Sequence, residues 1–192
     1  KYGRKIRYRY SDIINGKIKE KLYFADPTKF ILWRVKSLNG DYQNWSINDY
    51  YKVTKPNYTF SLENYPSYNM YRIDIDHVEI IKTTKFYFNG NTRQQGSARY
   101  FNSVVPYECN LGSLNPGEFI YSFSLLPKLL QPSGAANLTM IEDLEIEHEI
   151  NPKYLELMKN EKLEIEIEYF SYSYQILRIM SGFAAPAFIN TK

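Results

Sequence analysis

The sequence predicts an all-β chain: about eight strands packed as a sandwich, with one long inserted loop and short helical segments. Three observations carry that reading. Aromatic residues make up 17% of the chain, with 19 tyrosines and few alanines, and an amphipathic ring suits a half-buried pleated surface. Segment after segment alternates apolar and polar residues with a period of two, with turn residues between segments. The chain also bends sharply at Gln131-Pro132-Ser133-Gly134, just after the alternating run Phe119, Tyr121, Phe123, Leu125 and then Pro127. Proline fixes φ and removes a ladder donor, and glycine accepts positive φ, so the tetrad is a corner rather than a helix or a flexible linker. A sandwich of 192 residues is ordinary as one domain.

Residues 6–10 alternate Ile6, Tyr8 and Tyr10 with Arg7 and Arg9, a strand with one cationic face. Asn15-Gly16 is a tight turn. Residues 17–24 form the next strand, which Ala25-Asp26-Pro27 breaks, and residues 29–36 (KFILWRVK) form a denser one. These two strands are expected to be antiparallel neighbours. Residues 37–71 lose the period and collect Asn, Tyr, Ser and Pro, so a projecting loop is expected. Its aromatics, among them Trp45, Tyr50, Tyr51 and Tyr58, make it a candidate contact surface. Strand character returns over residues 71–88, Asn89-Gly90 is a turn, and residues 91–98 are polar. Residues 100–107 start as a helical turn or strand and must change course at Pro106. After the corner, residues 137–150 and 161–174 alternate clearly, with a short helix or connecting loop at 152–160. Residues 175–180 are expected to extend the last strand, Ser181-Gly182 to end it, and 183–192 to form a small-residue apolar tail.

Charge is uneven although the net is only +3. Residues 1–36 hold eleven Lys/Arg against three Asp/Glu, and residues 140–168 hold ten acids against three bases. The basic end forms no run of five or six like charges and alternates with Ile and Tyr, so two faces that attract one another, or a neighbouring subunit, are favoured over an arm for nucleic acid or a membrane. Glu145, Glu147, Glu149 and Glu164, Glu166, Glu168 lie at i, i+2 on strand faces, where solvent exposure is expected. One cysteine, Cys109, leaves no disulfide framework or Cys-based zinc site. No stretch approaches the roughly 18 apolar residues of a spanning helix. The two histidines, His77 and His148, lie in separate strand-like segments, and no phosphate loop, HExxH, GxSxG or zinc spacing occurs. No catalytic residue, metal ligand or cofactor is therefore assigned. Hypotheses from other classes are a carbohydrate-binding sandwich that stacks sugars on the aromatic loop and a hydrolase using the acidic strand faces.

The corner also carries a resemblance. Tyr121-Ser122-Phe123-Ser124-Leu125, Pro127, Gln131-Pro132-Ser133-Gly134, Asn137 and Ile141 are similar to the YSFAL-P-QPSG-N-I signature of the major capsid proteins of large nucleocytoplasmic DNA viruses. Phe24 with Pro27 and Ile31-Leu32-Trp33, Phe88-Asn89-Gly90 with Arg93, and Tyr100-Phe101-Asn102 with Val104, Pro106 and Tyr107 resemble further family segments in the same order. So do Tyr174 and Leu177-Arg178-Ile179-Met180-Ser181-Gly182. The sequence departs from the pattern at Asn91-Thr92, at Ala136, and at Ala184, Ala185 and Pro186, which suggests a divergent member or a minor capsid or scaffolding paralogue.

The resemblance implies an eight-stranded jelly roll, the second of two in a longer subunit, over residues 17–192, with residues 1–16 as an N-terminal arm or inter-domain strand. Lys1 in place of an initiator methionine fits a piece of a longer chain. It further implies a homotrimeric, pseudohexagonal capsomer of an icosahedral virion, assembled in the host cytoplasm. Its partners would be neighbouring capsomers and minor capsid proteins, with no specific nucleic acid and room for an indirect contact with an internal membrane. Gln131, Pro132, Ser133, Gly134, Asn137, Asn89, Gly90, Pro106, Arg178, Ser181 and Gly182 are expected to be architectural.

Overall fold

The computed structural model describes residues 2–38, 80–112, 114–115 and 117–186. Two antiparallel sheets pack face to face, as the sequence predicts. One holds β1 (Tyr2–Tyr8), β9 (Glu164–Ser173), β3 (Pro27–Leu38) and β6 (Glu118–Ser122), in that order, with the two-residue β7 (Ala136–Asn137) added to β3. The other holds β2 (Lys17–Lys21), β8 (Leu144–Ile150), β4 (Ile81–Phe88) and β5 (Asn91–Ser97). Those eight strands make the jelly roll, and a separate hairpin of β10 (Leu177–Met180) and β11 (Phe183–Pro186) follows. Among the described residues two α-helices connect strands: α1 (Val105–Glu108), entered through a π-helical turn at Tyr100–Val104, and α2 (Pro152–Glu161). Asn151 caps α2 by accepting from the Lys153 N–H at 3.1 Å, and Pro152 opens it where no amide donor is needed.

The period-two patterns fill the space between the sheets. Ile31, Trp33 and Val35 of β3 and Ile165, Ile167 and Tyr169 of β9 face Phe86 of β4 and Leu144, Ile146 and His148 of β8, all buried. Trp33 is the hub, in edge contact with Phe86 and Phe101 and stacked on Phe119 with centroids 5.6 Å apart. Burying such rings supplies most of the drive for folding, at ~25 cal/mol per Å² of apolar surface.

The polar faces pair across strands. Lys17, Lys19 and Lys21 of β2 meet Glu147, Glu145 and Asp143, and Arg7 and Lys5 of β1 meet Glu166. β9 is an interior strand, so Lys36 of β3 reaches Glu168 from its other side at 3.2 Å. The basic start of the chain and its acidic second half therefore neutralise each other within one molecule.

Several expectations change. β2 and β3 are not neighbours: they lie in different sheets, because Asp26, at φ +73, turns the chain across the sandwich at the break between them. Polar residues 91–97 are a strand, placed by the Asn89-Gly90 turn as an edge with only one covered side. Residues 175–180 do not extend β9, since pairing stops at Ser173 and the chain turns on itself at Ser181-Gly182. Glu166 is buried rather than solvent-facing, because cationic strands flank it on both sides. Residues 2–8 pair with β9 along their length, and Tyr8 is buried.

Candidate functional site

The corner is a cinched excursion between β6 and β7. Ser133 Oγ lies 2.6 Å from Ser124 Oγ and accepts from the Leu126 N–H at 2.9 Å, while the Ser133 carbonyl accepts from the Leu125 N–H at 3.2 Å. Gly134 stands at φ +131, and a Cβ there would lie 2.7 Å from the Phe123 carbonyl oxygen. Only glycine closes this loop without moving backbone. Gln131 and Pro132 are exposed beside it. Asn137 accepts from the Thr139 N–H at 3.2 Å while its backbone pairs with Pro27, which returns the chain to β3.

A residue that sequence reasoning missed anchors the same loop. Lys29, 6% exposed, donates to the carbonyls of Leu129 at 3.0 Å and Pro127 at 3.4 Å. Its ammonium sits 4.4 Å from the centroid of the Tyr174 ring, a cation–π contact in a largely desolvated place. The signal was a lysine entering a dense apolar strand. Its cost in an apolar run is acceptable only where the charge finds a partner.

The other motif residues hold strand ends. Asn89 and Gly90, at φ +49 and +80, form the β4–β5 turn, and Asn89 Oδ1 accepts from the Asp143 N–H at 3.0 Å, tying that turn to the entry of β8. Pro106 is buried in α1 and its carbonyl accepts from the Leu111 N–H. Upstream, Asn102 donates to the Glu118 carbonyl at 2.8 Å, which fixes the start of β6. Arg178, Ser181 and Gly182 lie apart from all of these, in the β10–β11 hairpin. Trp45, Tyr50, Tyr51, Tyr58 and His77 lie outside the described residues.

Two exposed apolar features stand out. The corner loop presents Leu125, Leu129 and Leu130, the last 95% exposed. The hairpin presents Leu177, Ile179, Met180 and Phe183, each more than half exposed, and among the described residues its strands pair only with each other. Leu177 and Ile179 lie on one face, Met180 and Phe183 on the other, so both faces are apolar. A lone two-stranded hairpin is marginal in water, and one with two apolar faces is suited to burial against another surface.

Chemistry has no comparable focus. Among the described residues no group of three or more His, Cys, Asp or Glu could hold a metal. A cavity of about 280 Å³ at the base of the hairpin is lined by Asp26, Pro27, Asn137, Thr139, Tyr174, Gln175 and Ile176, and Asp26 is its sole carboxylate.

The model of the family described as large eukaryotic DNA virus major capsid protein matches residues 7–185. The chain belongs to this family. It is 26% identical over 199 residues to the major capsid protein of Paramecium bursaria Chlorella virus 1, covering 88% of this chain and 43% of that protein. Against probable capsid protein 4 of Acanthamoeba polyphaga mimivirus it is 25% identical, covering 92% of this chain and 31% of that one. The quasi-atomic model of the PBCV-1 virus capsid superposes with a TM-score of 0.62 at 20% identity, over 98% of this chain and 50% of the other. The Faustovirus major capsid protein does so with a TM-score of 0.59 at 14% identity, over 88% and 31%. At these identities the structural likeness establishes the fold. This capsid-family chain thus spans half or less of the length of each of these relatives, and its two facing sheets have the jelly-roll fold.

Proposed function

We propose that this chain is a shell-building domain of a virion: one jelly roll of a two-jelly-roll subunit that assembles into homotrimeric, pseudohexagonal capsomers. Its function is to fill space and to bury surface between copies, with neighbouring capsomers and minor capsid proteins as further partners and the host cytoplasm as the place of assembly. The observation that carries this is the exposed apolar hairpin. Leu177, Ile179, Met180 and Phe183 stand in solvent on a strand pair that the sandwich does not cover, and a patch of that kind marks a protein contact. The leucines of the corner loop would add to it. Motif residues at the corner and turns set the shape on which those surfaces are carried, and none is asked to perform chemistry.

Sedimentation velocity tests this. The expected species is a trimer at micromolar concentration, and the double substitution Ile179→Ser/Phe183→Ser is expected to shift it to monomer while leaving the unfolding midpoint of the sandwich within about 2 °C, since exposed substitutions change little in the monomer. A stable monomer of the unaltered protein, or a trimer indifferent to both substitutions, would overturn the proposal.

A further inference from the structure

A buried polar path joins the two sheets. His148 on β8 is fully buried, with Nδ1 2.9 Å from Thr84 Oγ1 on β4 and Nε2 3.1 Å from the Tyr169 hydroxyl on β9. The Tyr169 and Tyr8 hydroxyls are neighbours, with Tyr169 placed to donate toward Tyr8. Tyr8, on β1, donates to Glu20 Oε2 on β2 at 3.0 Å, and Arg4 pairs with Glu20 at 2.5 Å near the surface. The path crosses between the sheets at His148 to Tyr169 and crosses back at Tyr8 to Glu20.

The order of donors favours one arrangement of its protons. A carboxylate only accepts, so Tyr8 donates to Glu20 and leaves its own oxygen to accept from Tyr169. The Tyr169 oxygen then accepts from His148, which is held as the Nε2–H tautomer with a bare Nδ1 that accepts from the Thr84 hydroxyl. Trp33 of β3, with its centroid 6.0 Å away, and Ile18 of β2, opposite in register, close the site without charge. Among the described residues the ionisable groups facing the imidazole are Tyr169 and, beyond it, Tyr8. Glu20 is the first carboxylate along the path, two hydroxyls away.

We propose that this network is an acid-sensitive joint between the sheets: a neutral His148 keeps it closed, and uptake of one proton on acidification opens it. A proton on Nδ1 would turn an acceptor into a donor facing Thr84, whose hydroxyl would have to reverse, and would place a cation in a dry site with its counter-charge out of contact. Burial accordingly lowers the imidazole pKa from its ordinary 6.5 to about 3. The opened chain, with an ordinary imidazole, therefore takes the proton first. Stability from this group is complete above about pH 6.5 and is lost progressively as the pH falls toward 3. Between pH 7 and pH 5 this group alone reduces the closed-to-open ratio by about 25-fold.

The test compares unfolding midpoints of the full chain at pH 7 and pH 5 for the unaltered protein and for His148→Gln. The unaltered protein is expected to lose about 4–8 °C more than the variant, because surface carboxylates titrate equally in both. Glutamine at a fully buried site can abolish folding, so the proton is also followed directly. In His77→Gln, His148 is the sole histidine, and its ¹⁵N shifts are expected to report the Nε2–H tautomer unchanged from pH 7 to pH 4. A folded-state His148 that titrates near pH 6.5, or a folded His148→Gln protein with the same acid loss as the unaltered one, would overturn the proposal.

Discussion

Replacing Gly134 by alanine tests whether the corner is as tightly determined as its geometry implies. At φ +131 an L-residue is held in a region essentially reserved for glycine, a strain of about 1–3 kcal/mol. The new Cβ would also stand 2.7 Å from the Phe123 carbonyl oxygen and 3.3 Å from Ser124 Cα, both backbone atoms that cannot swing aside. Relief requires residues 123–124 to shift by several tenths of an ångström, which stretches the 2.6 Å contact between Ser124 and Ser133 and costs about 1 kcal/mol more. Restricting the unfolded chain returns about 0.4–1 kcal/mol. The net is a loss of about 2–3 kcal/mol, or a drop in midpoint of roughly 4–12 °C for a chain of this size. Thermal unfolding followed by circular dichroism measures it, with Gly90→Ala as a comparison, since a Cβ there meets nothing within 4 Å and only the positive φ is strained. If Gly134→Ala falls by no more than Gly90→Ala, the close approach to Phe123 is not what the corner requires and the reasoning fails.

Two further substitutions probe the anchors around it. Lys29→Met keeps the stem on β3 but removes the ammonium from the Leu129 and Pro127 carbonyls and from the Tyr174 ring. The loop is expected to be cut by protease after Lys128 at least tenfold faster, with about 1–2 kcal/mol lost from global stability; unchanged cleavage would show that the serine bonds alone hold it. Burial works to raise the carboxyl of Glu166, but hydrogen bonds from Lys5 and Arg7 outweigh it and hold the group below the usual range. A depressed carboxyl contributes stability that is present above its unfolded pKa and lost as the pH falls. Glu166→Gln should therefore cost about 1–2 kcal/mol in urea unfolding at pH 7 and much less at pH 3, and an equal cost at both pH values would refute the account.

What the sequence displays is facing, and what it withholds is partnership. A period of two tells which side of a strand is buried, so Ile165, Ile167 and Tyr169 are legible as core positions from their alternation, whereas the dense run KFILWRVK does not by itself say that Ile31, Trp33 and Val35 are the ones that face inward. It does not tell which strand lies alongside: consecutive alternating runs suggest that β2 lies beside β3, although β2 pairs with β8. β5 escapes notice for a related reason, since an edge strand of Asn, Thr, Arg and Gln buries too little to show a period. At the corner, glycine and proline give away the turn, whereas the clasp between Ser124 and Ser133 and the reach of Lys29 join positions nine and about a hundred residues apart. His148 shares the parity of Leu144, Ile146 and Ile150, so its inward direction is readable, but its hydroxyl partners lie on other strands.

The charge pattern narrows how such a domain can associate. A basic start and an acidic second half could in principle draw copies together end to end, and the association would then weaken steeply with salt. Here those charges are already spent across strand pairs of the same molecule: Lys5 and Arg7 on Glu166, Lys17 on Glu147, Lys19 on Glu145. The exposed pairs among these add little stability, ~0–1 kcal/mol each, yet they penalise any slip in register, since one residue of displacement would take the cations off their glutamates and set them opposite apolar residues or His148. Their contribution is to pairing specificity within the sandwich. Among the described residues the hairpin and the corner loop carry exposed apolar sets, and association built on them should strengthen in added sulfate, where apolar burial is favoured. Charge steering would make it weaken instead.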